Sequence, residues 1–312
     1  MPAVPRRILV TGAAGFVGRH LTLALTSAFP DARQFRREFD ITDPAKVDSA
    51  VRETAPDVCI HLAAISTNGM AAHDEDRAWA VNLHGTLHLA RAILQHVPGC
   101  QLLFVSSADA YGASFRSGSK LEESAPLAPL SIYAATKAAA DLALGAMTEQ
   151  GLRVVRLRPS NHTGPGQSSA LVVAAFARQV ARIEAGLQEP VIQVGNLESK
   201  RDFLDVRDVC AAYIACAARR NEIEAGAILN LASGEARRIG DVLDALMETA
   251  GVKAEIRIDP ARSRATDVPL AWCNATRARD LLGWTVATPW HTTLQDVVDD
   301  WRRRIAADPE SP

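Results

Sequence analysis

Between Ile8 and Gly18 the chain reads ILVTGAAGFVG, and no other stretch restricts the possible folds as much. Apolar residues at Ile8, Leu9 and Val10 suit a short buried strand. Glycines follow at Gly12, Gly15 and Gly18, and HLTLAL then opens an apolar repeat of helical period. A strand, a glycine turn and a helix in that order can hold a dinucleotide pyrophosphate, because backbone N–H groups reach the phosphates and the helix N-terminus adds partial positive charge. A Cβ at Gly12 or Gly15 would fill the space of a phosphate oxygen or strain the turn. Gly18 would let helix and strand pack closely, and Phe16 and Val17 belong to the same candidate phosphate site. The spacing G-x-x-G-x-x-G is one residue wider at the front than the common fingerprint.

A chain of 312 residues accommodates one large α/β domain or up to two domains. Its net charge of −2 supplies no electrostatic case for a nucleic acid or a membrane surface as partner. The five cysteines (Cys59, Cys100, Cys210, Cys216 and Cys273) form no C-x-x-C pair, so neither a disulfide framework nor a metal site is expected. No leader-like apolar run precedes the first strand, and no run approaches the length of a membrane span. A reducing cytoplasm is the expected location.

Strand-like and helix-like segments alternate through the first half, the pattern of a doubly wound parallel sheet in the α/β class. Strands are expected at Ala32–Phe35, Asp57–Ala64, Gln101–Ser107 and Arg153–Pro159. Helices are expected over Pro44–Thr54, with Asp43 as N-cap, and over Ala71–His96 and Ser131–Glu149. Past Pro159 the alternation loosens. NHTGPGQSS reads as a loop and Ala170–Ala185 as a helix. VIQVGN, AILNLASG and AEIRIDP read as short strands, and Asp241–Ala250 and Leu294–Ala307 as helices. The expected organisation is a Rossmann-type domain over residues 1–159, completed by 202–232, with a smaller α/β substrate lobe from 160–201 and 233–312.

The second strand ends Phe35-Arg36-Arg37. An acidic residue near this point of a dinucleotide site bonds a ribose 2′-hydroxyl, whereas arginine suits a 2′-phosphate. Arg36 therefore points to NADP(H), and Glu38 close behind keeps NAD(H) as the alternative. The reaction chemistry is carried by Tyr133-Ala134-Ala135-Thr136-Lys137. Residues four apart share a helix face, so phenol and ammonium can converge on one substrate. A tyrosine pKa of roughly 10 is high for proton transfer near neutrality, and an adjacent ammonium would lower it. His61, inside an apolar strand, reads as a satisfied core histidine, and His162 as a residue that shapes its loop.

Together TGAAGFVG, VSSADAYG and YAATK, in this order and separation, resemble the extended, nucleotide-sugar branch of the short-chain dehydrogenase/reductase superfamily. The resemblance covers nearly the whole chain. It implies Ser107, Tyr133 and Lys137 as the catalytic set, with Tyr133 and Lys137 also touching the cofactor. It further implies Asp40 and Ile41 of DITD beside the adenine, Leu62, Ala63 and Ala64 of HLAA along the cofactor, and Asn82 of VNLHGT as a structural asparagine. Downstream, LRPSNHTGPGQ, FARQVARIEAG, VGNLESKRDFLDVRDVCAAY and RSRATDVP resemble GDP-4-dehydro-6-deoxy-D-mannose reductases. That likeness implies Asn161, Arg201, Arg264 and Asp267 at a GDP-sugar, with Ser107 and Ala108 at the reacting sugar. Two guanidiniums suit a diphosphate through paired donors and permanent charge.

The implied activity is reduction of the C4 ketone of GDP-4-dehydro-6-deoxy-D-mannose to GDP-D-rhamnose by NADPH. Reduction to the C4 epimer, GDP-6-deoxy-D-talose, needs the same residues and stays open. A GDP-sugar 4,6-dehydratase or 4-epimerase also stays open, since dehydratase relatives carry an acid/base carboxylate where Asp109 stands. Against it, Ala108 breaks the adjacent Asp–Glu pair of some dehydratases. An NADP-binding sensor without turnover is a further reading, opposed by the complete Ser107, Tyr133 and Lys137 set. Relatives often dimerise through the helices corresponding to Ala71–His96 and Ser131–Glu149, so a homodimer is expected.

Overall fold

The computed structural model describes residues 4–36, 38–260 and 268–310. The apolar run at Ile8 forms β1 (Arg7–Thr11), and α1 (Phe16–Ala28) follows the glycine turn. β2 (Arg33–Phe35), α2 (Pro44–Thr54) and β3 (Val58–His61) continue the alternation. Asp43 caps α2 by accepting from the N–H groups of Ala45 and Lys46, and Pro44 takes the first helical position, where no N–H is needed.

The single helix expected over Ala71–His96 is instead broken. α3 (Asn68–His73) stops at Asp74, whose non-helical backbone (φ −141°) ends one helix while its carboxylate, accepting from the Arg77 N–H, starts α4 (Glu75–Trp79). A π-helical turn over Ala80–Gly85 then leads into α5 (Thr86–His96). Hydrophobic period conceals these breaks, because Ala71, Ala78 and Val81 are buried on both sides of them.

β4 (Gln101–Val105) precedes a 3₁₀ stretch over Ala108–Ser117, and α6 (Ile132–Ala146) and β5 (Val154–Pro159) follow. Asn161–Thr163, expected as loop, forms β6. α7 (Val172–Glu184), β7 (Val191–Val194), β8 (Lys200–Asp205), α8 (Val206–Ala218) and β9 (Ile228–Leu231) come next. The chain closes with β10 (Ala236–Arg238), α9 (Ile239–Ala250), β11 (Glu255–Ile258), β12 (Leu270–Ala271), α10 (Thr276–Leu282) and α11 (Trp290–Ala307).

A parallel sheet in the order β2-β1-β3-β4-β5-β9 forms the centre of the α/β fold. The order reverses at β1, which opens a crevice beyond the C-terminal ends of β1 and β3, the place where such sheets take ligands. Alternate residues of β1 enter opposite layers, as strand geometry demands. Ile8 and Val10 meet Leu21 and Leu25 of α1 and Val209 of α8. Leu9 joins Val47 and Val51 of α2, Leu89 and Ile93 of α5 and Leu144 of α6. A separate core gathers Phe176, Val180, Leu243, Leu246, Val297 and Trp301 from α7, α9 and α11.

Two buried carboxylates tie this second core to the first. Asp205 accepts from the Arg207 N–H (2.7 Å), capping α8, and from the Thr293 hydroxyl of α11 (2.8 Å). Asp208 accepts from the N–H groups of Ala287 and Thr288, while the Trp284 indole donates to its carbonyl (2.8 Å). All five cysteines are unpaired and buried. Among the described residues no helix is long and apolar enough to cross a membrane.

Candidate functional site

Gly12 has φ +71°, a conformation glycine adopts without steric cost. A Cβ there would lie 2.7 Å from the Ala63 nitrogen, so the side chain it lacks makes room for the backbone after β3. A Cβ on Gly18 would overlap the carbonyl oxygens of Gly12 and Ala13, so the first turn of α1 rests directly on the glycine turn. α1 starts at Gly15 with no side-chain cap and no acidic residue in its first turn. The first N–H groups of a helix lack intrahelical acceptors, so the peptides of Phe16, Val17 and Gly18 present donors and partial positive charge. This end of the sheet is built for an anion such as a pyrophosphate.

Behind the turn runs a buried hydrogen-bond chain. Thr86 donates its hydroxyl to the Asn82 carbonyl (2.7 Å) and therefore accepts from His61 Nε2 (2.9 Å). His61 Nδ1 is then the acceptor for the Thr11 hydroxyl (2.7 Å), which in turn accepts from the Ala63 N–H (3.2 Å). His61 is thus a neutral, satisfied histidine linking β1, β3 and α5. Burial, and then the Lys137 charge, push its pKa from 6.5 down to about 3. Between those values the unfolded chain binds a proton that the folded one refuses, so stability falls as pH drops through this window. His61→Gln is expected to flatten the dependence there by about 1.4 kcal/mol per pH unit, measured by denaturant unfolding at a series of pH values.

Asn82 sits on the π-helical turn and is buried, not the surface amide that a plain helix would present. Its amide bonds both backbone groups of Ile65 (2.8 and 3.0 Å) and donates to the Thr136 hydroxyl (2.9 Å), which joins the loop after β3 to α6.

α6 begins under Ser131, which accepts from the Ala134 N–H (3.2 Å), and presents Tyr133 and Lys137 one turn apart. Ser107 lies beyond the end of β4, half-buried, and accepts from the Asp109 N–H at 3.1 Å. Ser106 is buried instead, with no partner for its hydroxyl. A hydrogen bond links Ser107 to the Tyr133 phenol. The expectation that Lys137 lowers the tyrosine pKa does not hold in this structure. The Lys137 ammonium donates to the Val105 carbonyl and lies 4.8 Å from the centre of the Phe104 ring. Burial dominates and raises the Tyr133 pKa, the Asp109 carboxylate raises it further, and the Ser107 hydrogen bond opposes both. Burial also pushes Lys137 down to about 8, partly offset by Asp141.

Beneath this site lies a network that sequence reasoning missed. Asp141, one turn beyond Lys137, receives the Arg158 guanidinium through Nε (2.9 Å) and Nη2 (2.8 Å). Arg158 Nη1 reaches the Tyr111 hydroxyl (2.9 Å), which donates to Asn230 Oδ1 on β9 (2.8 Å). An arginine inside the apolar run RVVRLRP, matched to an aspartate four residues after Lys137, was the available signal.

The other expected residues are placed as follows. Asp40 is exposed and accepts from the Thr42 hydroxyl (2.7 Å) and N–H, which holds its carboxyl below the usual range, while Ile41 is buried against Gly85. Arg36 is exposed at the end of β2 and donates to Gln34 (3.1 Å). Leu62, Ala63 and Ala64 follow β3 half-buried, and Ala108 is buried. Asn161 is exposed on β6, which runs parallel to β8 with Asn161 paired to Phe203, two residues beyond Arg201. Arg201 Nη1 donates to the Lys200 carbonyl (2.8 Å). Arg264 and Asp267 lie outside the described residues. His162 donates from Nδ1 to the Ser160 carbonyl (3.1 Å) and stacks on Phe16, centroids 6.4 Å apart, joining β6, not a loop, to the start of α1.

Residues 8–232 match the model of the NAD dependent epimerase/dehydratase family. The chain belongs to that family. The match begins at the second residue of β1, takes in the rest of the parallel sheet and ends just past β9. Among epimerase/dehydratase relatives, the GDP-6-deoxy-D-mannose reductase of Pseudomonas aeruginosa is 35% identical over 303 residues, covering 96% of this chain and 98% of that protein. The structure of RMD from Pseudomonas aeruginosa complexed with NADPH aligns with a TM-score of 0.87 at 32% identity, covering 96% of this chain and 99% of that one. The Thermus thermophilus UDP-glucose 4-epimerase in complex with NAD aligns at a TM-score of 0.81 and 29% identity, over 95% and 99% of the two chains.

Proposed function

We propose that this chain reduces the C4 ketone of GDP-4-dehydro-6-deoxy-D-mannose to GDP-D-rhamnose, the nucleotide ester of 6-deoxy-D-mannose, at the expense of NADPH. The observation that carries this reading is the likeness over 96% of the chain to a reductase named for that sugar and to a structure complexed with NADPH. The hydrogen bond between Ser107 and Tyr133, with Lys137 one turn further along α6, supports it from the chemistry.

Gly12, Gly15, Phe16, Val17 and Gly18 would hold the pyrophosphate, Arg36 the 2′-phosphate, and Asp40 and Ile41 the adenine end. Leu62, Ala63 and Ala64 would line the run toward the nicotinamide, and Lys137 the ribose beside it. The bound cofactor supplies the hydride. Tyr133 carries the proton and gives it to the sugar oxygen as negative charge develops there. Ser107, which accepts from the Asp109 N–H and is hydrogen-bonded to the Tyr133 phenol, would orient that phenol toward the sugar oxygen. Asn161, Arg201, Arg264 and Asp267 would hold the GDP portion, and Ala108 would border the sugar. In this division residues 1–159 with 202–232 serve the cofactor, and 160–201 with 233–312 serve the GDP-sugar. The reading includes a cytoplasmic homodimer built on α5 and α6, where the exposed Leu142 would be covered.

Loss of NADPH absorbance on mixing purified protein with the 4-keto sugar tests the reading. One NADPH is expected to disappear per ketone, whereas GDP-mannose is expected to remain unchanged. Dehydration of GDP-mannose without net cofactor use would make the chain a dehydratase instead.

A further inference from the structure

We propose that Arg237 is a diphosphate-binding residue: it stands directly across from Arg201 on the same sheet face, its guanidinium steadied over the Trp290 ring and open to an oxyanion of the nucleotide. The inference rests on the GDP-sugar reading and adds to it a residue that no sequence motif indicated.

The register of β8 with its neighbours places the residue. β10 runs antiparallel to β8 with Arg237 paired to Arg201, and β6 runs parallel to β8 with Asn161 paired to Phe203. Paired residues share a sheet face, and so do residues two apart along one strand. Asn161, Arg201, Phe203 and Arg237 therefore project to one side. The aromatic contacts agree. Trp290, at the start of α11, stacks on Phe203 with centroids 5.6 Å apart, and the Arg237 guanidinium lies 5.0 Å from the centre of the same Trp290 ring. This face thus offers two guanidiniums and an amide, a donor set suited to a diphosphate.

Arg237 also differs from its neighbour in sequence. Arg238, on the opposite face of β10, is held by Glu198 (2.5 Å) and Asp241 (3.1 Å). Arg237 pairs with the exposed Glu235, two residues back on its own strand (2.6 Å). A solvent-exposed ion pair contributes little, so a better-placed anion can compete with it. Nη1 of Arg237 donates to no acceptor among the described residues, and its Nε is buried without a partner. The stacked guanidinium therefore keeps an unused N–H pair on a fixed plane. Like charges set directly opposite across two strands are unfavourable, and an anion received between Arg201 and Arg237 would remove that cost.

Guanosine and GDP are titrated into the full chain with NADP⁺ present, followed by NMR and calorimetry. Arg237→Met keeps an unbranched side chain over Trp290 and removes the charge. Its Kd for GDP is expected to rise about tenfold or more, with guanosine and NADPH affinities unchanged. Arg237→Lys should recover part of the loss, since an ammonium keeps the charge without the planar fork. The weakening of GDP binding by salt should be shallower in Arg237→Met. With the 4-keto sugar, KM should rise while kcat holds, because the contact is alike in ground and transition states. A GDP affinity in Arg237→Met within about twofold of wild type overturns the proposal. Equal losses of GDP and guanosine overturn it too, since they would make Arg237 a packing residue over Trp290. Wild-type protein that ignores GDP yet binds UDP or dTDP, with the same dependence on Arg237, would sink the GDP-sugar reading and leave the diphosphate role standing. Binding of none of the three would overturn both.

Discussion

Tyr133→Phe is expected to lower kcat for ketone reduction by about 10²–10⁴-fold, with the KM for NADPH and the melting temperature close to wild type. The substitution removes one hydroxyl from a half-buried ring and leaves α6, its Ser131 cap and the Asn82 clamp intact. In the proposed reaction the lost group is the proton donor, and burial raises the pKa of this phenol above its ordinary value. Ser107 retains a hydroxyl near the sugar oxygen, yet its own acidity is far too weak to replace a phenol. Steady-state kinetics with parallel thermal melts check the expectation. Turnover within a few-fold of wild type would remove Tyr133 from the reaction and with it the assignment of the whole site.

The largest effect on stability is expected at Arg158. Arg158→Met should destabilise the fold by about 3–5 kcal/mol, measured by guanidinium unfolding. Asp141 is wholly buried and loses two short hydrogen bonds, keeping only contact with Arg156 Nη1 at 3.3 Å. Tyr111 and the Glu123 carbonyl lose a donor in the same step. Removing both charged partners should cost less than the sum of the single changes, since no lone buried charge remains. The Asp141→Asn/Arg158→Met pair therefore serves as the control. A single-variant loss below about 1 kcal/mol would show that water or a shifted side chain compensates Asp141, contrary to the packing described. The network lies directly under the site, so a loosened Asp141 should also disturb Lys137 one turn away.

Much of this was legible in the residues because local chemistry and tertiary demand coincided. The glycine turn, the Asp43 cap and the alternating β1 reside where propensity, periodicity and packing agree. β8 was not legible for the opposite reason. Its residues KRDFLD are mostly charged, which suggests surface, yet Asp202 and Asp205 are buried because Ser233, Gly234, Arg207 and Thr293 satisfy them from elsewhere in the chain. The breaks at Asp74 and the π-helical turn were hidden since apolar residues continue at helical spacing across them. Asn161–Thr163 looked like loop beside its glycines and proline, and it is a strand only because β8 lies alongside. At the site, YAATK and the glycines were recognisable from spacing. The orientation of Lys137 and the effect of Asp109 on the phenol depend on burial, which spacing does not reveal.

The central claim is hydride transfer to C4 of a GDP-linked keto sugar with protonation by Tyr133, and NADPH carrying deuterium at the transferring position tests it most directly. Proton NMR of the product formed from GDP-4-dehydro-6-deoxy-D-mannose should show deuterium at C4 of a rhamno-configured sugar, one atom for each cofactor oxidised. Deuterium at C4 in the talo configuration would reverse the face of attack, and a product without deuterium at C4 would contradict the account.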